Sequence, residues 1–261
     1  MTLWLATGNI HKKKELVDIL SNDILSKDVL SAALPGTFSG AKAFELKIPG
    51  DAGIDFNPEE TGSTFFENAL IKAAALQRLL EERRPGGYTS GDPVIADDSG
   101  ICVDALNGRP GIFSARYCGP ECGSETPIMA PDKLSRTAGA SGFSATSALS
   151  DNERNALLLA ELGENPRRSA RFVCAMVLYY SPDRFFAAQE TMEGELVKNA
   201  ASARGEGGFG YDPILYIPEL GRTVAELSNE EKNRFSHRSK AGRAIAKILI
   251  PEAQQAEREC L

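Results

Sequence analysis

Asp97 and Asp98 stand side by side in VIADDSG (94–100), after three apolar residues and before a Ser-Gly pair. Asp, Ser and Gly are common turn residues, so the stretch reads as a short buried strand that ends in a turn at DDSG. Two carboxylates held at a strand end also suit Mg²⁺, which favours one or two carboxylates completed by water and substrate phosphates. Glu59, Glu60 and Glu67 lie upstream, and a further carboxylate beside a metal-bound water can serve as general base. Glu59 and Glu60 read equally well as loop acids, and Glu67 as the partner in a helix cap. The acids alone leave both readings open.

Three other stretches carry chemistry of their own. In TGNIHK (7–12) a small-polar loop leads into a helix start that continues with Lys13 and Lys14. Backbone N–H groups and ammonium ions arranged in this way can cradle phosphates. The GxxxxGK[ST] pattern of a Walker loop is absent, and three lysines on a helix start equally describe a solvated face. GEGGFGYDP (205–213) combines glycines, which permit close backbone approach, with Phe209, whose ring can stack on a base. A hairpin loop with core aromatics fits the same residues. EKNRFSHRSKAGR (231–243) gathers Lys232, His237 and Arg238 near a helix start. Arg and Lys only donate, which suits a ligand presenting carbonyl or phosphate oxygens. Positive charge at a helix start opposes the helix dipole, and that leans towards function.

These stretches need a scaffold. LWLAT (3–7) reads as a buried strand, and Asn9 caps a helix over about 11–20 whose Leu16, Val17, Ile19 and Leu20 share one broad face. Residues 21–62 are irregular, with a strand near 42–48. Thr64-x-x-Glu67 forms a capping box for a long helix, with Phe66, Ala69, Leu70, Ala73, Gln77 and Leu80 on its inner stripe. Asn68 and Lys72 fall four apart on a neighbouring face. ICVDAL follows DDSG as another strand, and Ser150-x-x-Glu153 caps a helix that stops at Gly163. RSARFVCAMVLYYS and RFFAAQETMEGELV are strands joined through Ser-Pro-Asp. Ser228-x-x-Glu231 opens the last helical region, where Ala241, Ile245, Ile248 and Leu249 form the apolar side. Residues 118–150, rich in Ser, Ala, Gly and Pro, read as an inserted surface loop. Mixed strands and helices place the chain in the α/β or α+β class.

A chain of 261 residues has room for one large domain or two closely joined lobes. The longest uncharged apolar run, 172–182, is too short to span a bilayer. LWLATGN followed by lysines is not the order of a signal peptide, so a cytoplasmic protein without a membrane partner is expected. Five cysteines form no regular framework, which suits a reducing compartment. Cys118 and Cys122 lack a second pair, and His11 and His237 are distant in sequence, so no structural zinc site is expected. A net charge of −7 argues against a nucleic-acid partner but not against a small polyanion met by local basic groups and a metal.

Taken together, ATGNIHKKKE, ETGSTFFENALIKA, ADDSGICVDALNGRPGIFSARY, GGFGYDPI and EKNRFSHR resemble, in this order, the inosine/xanthosine triphosphate pyrophosphatase family, also called Ham1- or RdgB-like. The resemblance covers nearly the whole chain apart from 21–58, the 118–150 insert and the C-terminal tail. It implies an α/β fold with a long mixed sheet and flanking helices, whose two lobes enclose a central active-site cleft. Residues 1–250 would form this single domain and 251–261 a tail. The implied reaction is Mg²⁺-dependent hydrolysis of ITP, dITP and XTP to the monophosphate and pyrophosphate, usually by a homodimer.

By motif, the resemblance assigns Thr7, Gly8, Asn9, Ile10, His11 and Lys12 to the triphosphate, with Asn9 and Lys12 as the main side-chain contacts. Asp98 matches the general base and metal contact, with Ser99 a substrate contact beside it. Asp97, Glu60 and Glu67 are supporting acids, Glu60 and Glu67 towards the metal. Lys72 and Arg116 would neutralise phosphate charge. Phe209, Gly210, Tyr211 and Asp212 match the base-binding loop, and Lys232, His237 and Arg238 the surroundings of the purine. Two alternatives stand beside this reading: a Maf-like pyrophosphatase for other modified nucleotides, and a nucleotide-binding regulator without catalysis. The first lacks the SHR and FGYD set found here, and the intact acids argue against the second.

Overall fold

The computed structural model describes residues 2–24, 45–120 and 149–259. Its strands are β1 (Thr2–Leu5), β2 (Glu45–Lys47), β3 (Val94–Val103), β4 (Ser169–Ser181), β5 (Arg184–Leu196), β6 (Leu215–Ile217) and β7 (Arg222–Thr223). They form one seven-stranded sheet in the order β2-β1-β3-β4-β5-β6-β7. β1 runs parallel to β2 and β3, whereas β6 is antiparallel to β5 and β7, so the sheet is mixed. The helices are α1 (Ile10–Ile24), α2 (Phe65–Arg83), α3 (Asp151–Leu162), α4 (Asn229–Phe235) and α5 (His237–Glu259). The α/β class with a long mixed sheet is therefore as expected.

Two compact units divide the chain. The first comprises Met1–Ser99, Val173–Met192 and Asn229–Leu261; the second comprises Gly100–Phe172 and Glu193–Ser228. Within the first unit both faces of the sheet are covered, as parallel strands require. Leu3, Leu5, Ile95, Cys174, Met176 and Leu178 point to one face, where Leu16 and Leu20 of α1 and Ala241, Ile245 and Leu249 of α5 meet them. Trp4, Ala6, Val94, Ala96, Val177 and Tyr179 point to the other, against Ala69, Ala73, Leu76 and Leu80 of α2. The period-2 alternation of strand side chains produces this split. In the second unit α3 buries Leu158, Leu159 and Leu162, and Arg168 ties the ends of elements together by donating to the carbonyls of Leu196, Val197 and Gly163.

The caps are as the sequence predicts. Thr64 and Glu67 form a reciprocal capping box on α2, Ser150 and Glu153 form another on α3, and Gly163 closes α3. Asn9 accepts from the Lys12 N–H at 3.3 Å at the start of α1. Four expectations change. The buried stripe of α2 includes Phe65, Asn68, Lys72 and Leu76, while Phe66 and Leu70 are only half-buried. The last helical region is two helices broken at Ser236, the second of which runs to Glu259. Cys102 and Cys174 are free thiols, but Cys118 is joined in a disulfide, where the cysteines showed no regular framework in the sequence. The strand near 42–48 is present at 45–47, and its first residues lie outside the described ones, as does most of the expected insert, 121–148.

The fourth change bears on chemistry. DDSG is not a turn. β3 runs unbroken from Val94 to Val103, and Asp97 and Asp98 lie in its interior. Turn propensity in Asp and Ser comes from side chains that satisfy nearby backbone groups. Here tertiary partners engage those side chains instead, and the backbone stays extended.

Candidate active site

Because β3 is extended through the acid pair, its side chains alternate, and Asp97 and Asp98 face opposite sides of the sheet. Asp97 shares the face of Ile95, beneath α1 and α5. Lys12 Nζ lies 2.9 Å from Asp97 Oδ2, and Arg238 Nε and Nη2 each reach the same oxygen at 3.3 Å. Arg238 Nη2 also donates to Ser99 Oγ at 2.9 Å, two residues along the strand on the same face. Glu15, one turn beyond Lys12 on α1, pairs with Arg238 Nη1 and accepts from Lys232 Nζ at 3.2 Å. Burial alone would raise the Asp97 pKa, but Lys12, Arg238 and Lys72 outweigh it and hold the carboxyl well below the usual carboxylate range. Arg238 is pushed up in turn: its burial is outweighed by Asp97 and Glu15. These two acids offset the unfavourable position of a cation at the start of α5.

Asp98 faces α2. Its Oδ1 lies 3.2 Å from Lys72 Nζ and its Oδ2 accepts from Asn68 Nδ2 at 3.2 Å. Lys72 Nζ also reaches Glu60 Oε1 at 2.7 Å, so two carboxylates converge on one ammonium. Asn68 turns its other end to the loop that carries Glu60, where Oδ1 accepts from Gly62 N–H at 2.8 Å. A Cβ on Gly62 would sit 2.7 Å from that oxygen, so the loop approaches α2 closely only with glycine there. Burial pushes the Asp98 pKa up and the neighbouring Glu60 adds to it, with Lys72 opposing. Lys72 is itself raised, because Asp98, Asp97 and Glu60 together outweigh the effect of its burial.

Several assigned residues sit elsewhere. Glu67 is exposed, and its carboxylate accepts from Ser63 N–H and Oγ, each at 2.6 Å, and from Thr64 N–H at 3.2 Å. These are the contacts of a capping partner. Among the described residues no group of three His, Cys, Asp or Glu side chains is placed to hold a metal ion, so the set Asp98, Glu60 and Glu67 is not gathered together. Thr7, Gly8 and Asn9 form an open loop, where Thr7 Oγ1 accepts from Asn9 N–H at 3.1 Å. The side chains of Ile10 and His11 lie outside the described residues. His237 is buried, and burial followed by the positive Arg238 and Lys232 holds its pKa well below the ordinary value, so the imidazole is neutral.

The second unit holds Arg116 and the loop of Phe209, Gly210, Tyr211 and Asp212. Arg116 is exposed, with its guanidinium 5.2 Å from the Phe113 ring centre. Asp212 Oδ2 accepts from Phe209 N–H at 3.0 Å, and the buried Tyr211 donates its hydroxyl to the Ser114 carbonyl at 2.8 Å. Two residues gained no role from the sequence. Glu15 closes the ion cluster around Arg238, and Asn68 links Asp98 to the Glu60 loop. The helical spacings Lys12–Glu15 and Asn68–Lys72 were the only signals that pointed to them.

Known proteins resemble this chain in sequence and fold. The Ham1 family profile matches residues 3–136 and 136–248. A dITP/XTP pyrophosphatase of Treponema denticola is 38% identical over 95% of this chain and 98% of its own length. Another, from Geobacillus kaustophilus, is 44% identical over 70% of this chain and 71% of its own. Among solved structures, the Ham1 protein of Staphylococcus aureus superposes with a TM-score of 0.66 at 31% identity, covering 97% of this chain and all of that one (100%). A HAM1 protein from Coxiella burnetii gives 0.65 at 30% identity, over 95% of this chain and 98% of that one. With matched residues spanning both units and nearly the whole length, the chain belongs to the Ham1 family.

Proposed function

We propose that the protein hydrolyses non-canonical purine nucleoside triphosphates, dITP, ITP and XTP, to the nucleoside monophosphate and pyrophosphate. The relatives named as dITP/XTP pyrophosphatases support the substrate class. The observation that carries the chemistry is the buried Asp98, held between Lys72 and Asn68 with Glu60 on the same ammonium. Asp98 takes the proton of the attacking water as its oxygen bonds to the α-phosphorus and the bridging oxygen leaves with pyrophosphate. A carboxylate whose pKa is pushed up by burial and by Glu60 accepts that proton more readily. Lys72 and the Lys12 loop neutralise the phosphates, and Arg116 adds a further cation.

A Mg²⁺ ion fits this set. Asp98 and Glu60 already converge on one cation, and Mg²⁺ asks for one or two carboxylates with water and phosphate oxygens completing its shell. Those two would hold it, whereas Glu67 would first have to leave its cap. When bound, the ion supplies charge neutralisation and an activated water. Phe209 stacks on the base, and the donors Lys232, Arg238 and His237 favour a 6-oxo edge. An adenine amino group would set donor against donor and leave buried groups unpaired. A cytoplasmic homodimer completes the proposal, and light scattering measures the oligomer. Among the described residues no helix is long and apolar enough to cross a membrane.

Pyrophosphate release from ITP, XTP, dITP, ATP, GTP and dUTP, with and without Mg²⁺, tests the reading. Cation-dependent hydrolysis of ITP and XTP well above ATP is expected. Equal rates on ATP, or orthophosphate as product, would overturn it. A preference for dUTP would favour the Maf-like alternative, and binding without turnover the regulator.

A further inference from the structure

The loop assigned to the base is gripped by a helix that no motif connects to it. Gly208 and Gly210 have φ of 75° and 64°, the left-handed region that favours glycine. Glycines lose the most freedom on ordering, so such a loop presents Phe209 in one place only if something else immobilises it. The Asp212 carboxylate and the Tyr211 hydroxyl supply part of this. α3 supplies two more hydrogen bonds. Asp151 Oδ2 accepts from Gly210 N–H at 2.7 Å, and Asn155 Nδ2 donates to the Gly210 carbonyl at 3.0 Å. The two bonds act on the peptide groups either side of the Gly210 Cα, and so fix its φ and ψ together.

Neither residue is needed to start the helix, because Ser150 and Glu153 cap it reciprocally. Asp151 and Asn155 are four apart and share a face. Asn155 is buried, and its Oδ1 has no hydrogen-bond partner among the described residues. An amide kept in the interior with half its capacity unmet is costly, which marks the bond to Gly210 as its contribution. We propose that Asp151 and Asn155 are positioning residues for base selection, acting through the Gly210 backbone on the ring of Phe209 without touching the nucleotide themselves. This rests on the assignment of 209–212 to the base.

Steady-state kinetics on ITP and ATP test it. Asp151→Ala and Asn155→Asp should each raise KM for ITP about tenfold with kcat within about twofold, and shrink the preference for ITP over ATP. Preserved kcat in these variants reports an intact fold. Asp151→Asn, whose amide oxygen still accepts from Gly210 N–H, should keep KM within about twofold of the parent protein. Phe209→Ala, run in parallel, separates this idea from the one beneath it. If Phe209→Ala raises KM while both clamp variants leave it unchanged, the clamp is overturned and the base assignment stands. If Phe209→Ala leaves KM unchanged, both fall. Equal losses on ITP and ATP, or a lower kcat at constant KM, would also overturn the clamp.

Discussion

Asp97 and Asp98 are the same residue type, adjacent on one strand and both buried, yet their surroundings push them in opposite directions. On one face Lys12 and Arg238 hold Asp97 ionised at any physiological pH. On the other, burial and Glu60 raise Asp98 against the pull of Lys72. The number of cations explains the difference. Among the described residues Asp97 has two direct cationic contacts, and Asp98 has one, which it shares with a second carboxylate. A carboxylate with excess positive charge around it is an anchor, and one with a deficit is available for proton transfer or for another cation.

The largest effect that would sharpen this contrast is on turnover. Asp98→Asn should lower kcat by about 10²- to 10⁴-fold, the range for loss of a general base, while the protein still folds. Near-normal kcat in the folded variant would break the assignment.

Asp97→Asn should act on stability first. It leaves the buried Arg238 and the half-buried Lys12 with too little negative charge, and removing one partner of a buried ion pair such as Arg238–Asp97 costs about 3–5 kcal/mol. Urea denaturation would show it as a lower midpoint. The pH dependence follows from the sign of the shift. The folded pKa of Asp97 is lowered, so its stabilisation is present above the unfolded value of about 4 and is lost as pH falls below it. Between pH 6 and pH 3 the parent protein should lose more stability than Asp97→Asn. Parallel loss in the two would break the idea that Asp97 is the anchor.

The smallest expected effect separates the acids themselves. Glu67→Gln should leave kcat within about threefold, since a glutamine can replace the carboxylate in a capping box. Glu60→Gln should cost more than tenfold and raise the Mg²⁺ concentration needed for half activity, as loss of one of two metal carboxylates would. Equal losses would return Glu67 to the metal set.

Much of this was legible beforehand where the signal is local. Thr64 and Glu67, Ser150 and Glu153, and Asn9 announced their helix starts, because a cap involves residues three apart. The inner stripe of α2 was misjudged because Asn68 and Lys72 are polar, and hydrophobic periodicity excludes polar residues whose partners lie elsewhere. For the same reason Glu15 passed without a role: its two cations come from α4 and α5, more than two hundred residues away.

By itself, then, the sequence determined the caps, the presence of strands at 3–7, 94–96 and 168–181, and which residue types could bind phosphate, metal and base. Tertiary structure alone decided that DDSG would be strand rather than turn, and that two neighbouring aspartates would have different chemistry. Arg238 is 141 residues from Asp97, and Lys72 is 26 from Asp98. Local propensity is a contest among nearby backbone groups. Once helices pack on both faces of the sheet and bring cations to the acids, long-range hydrogen bonds and burial outweigh that contest, and the strand runs on.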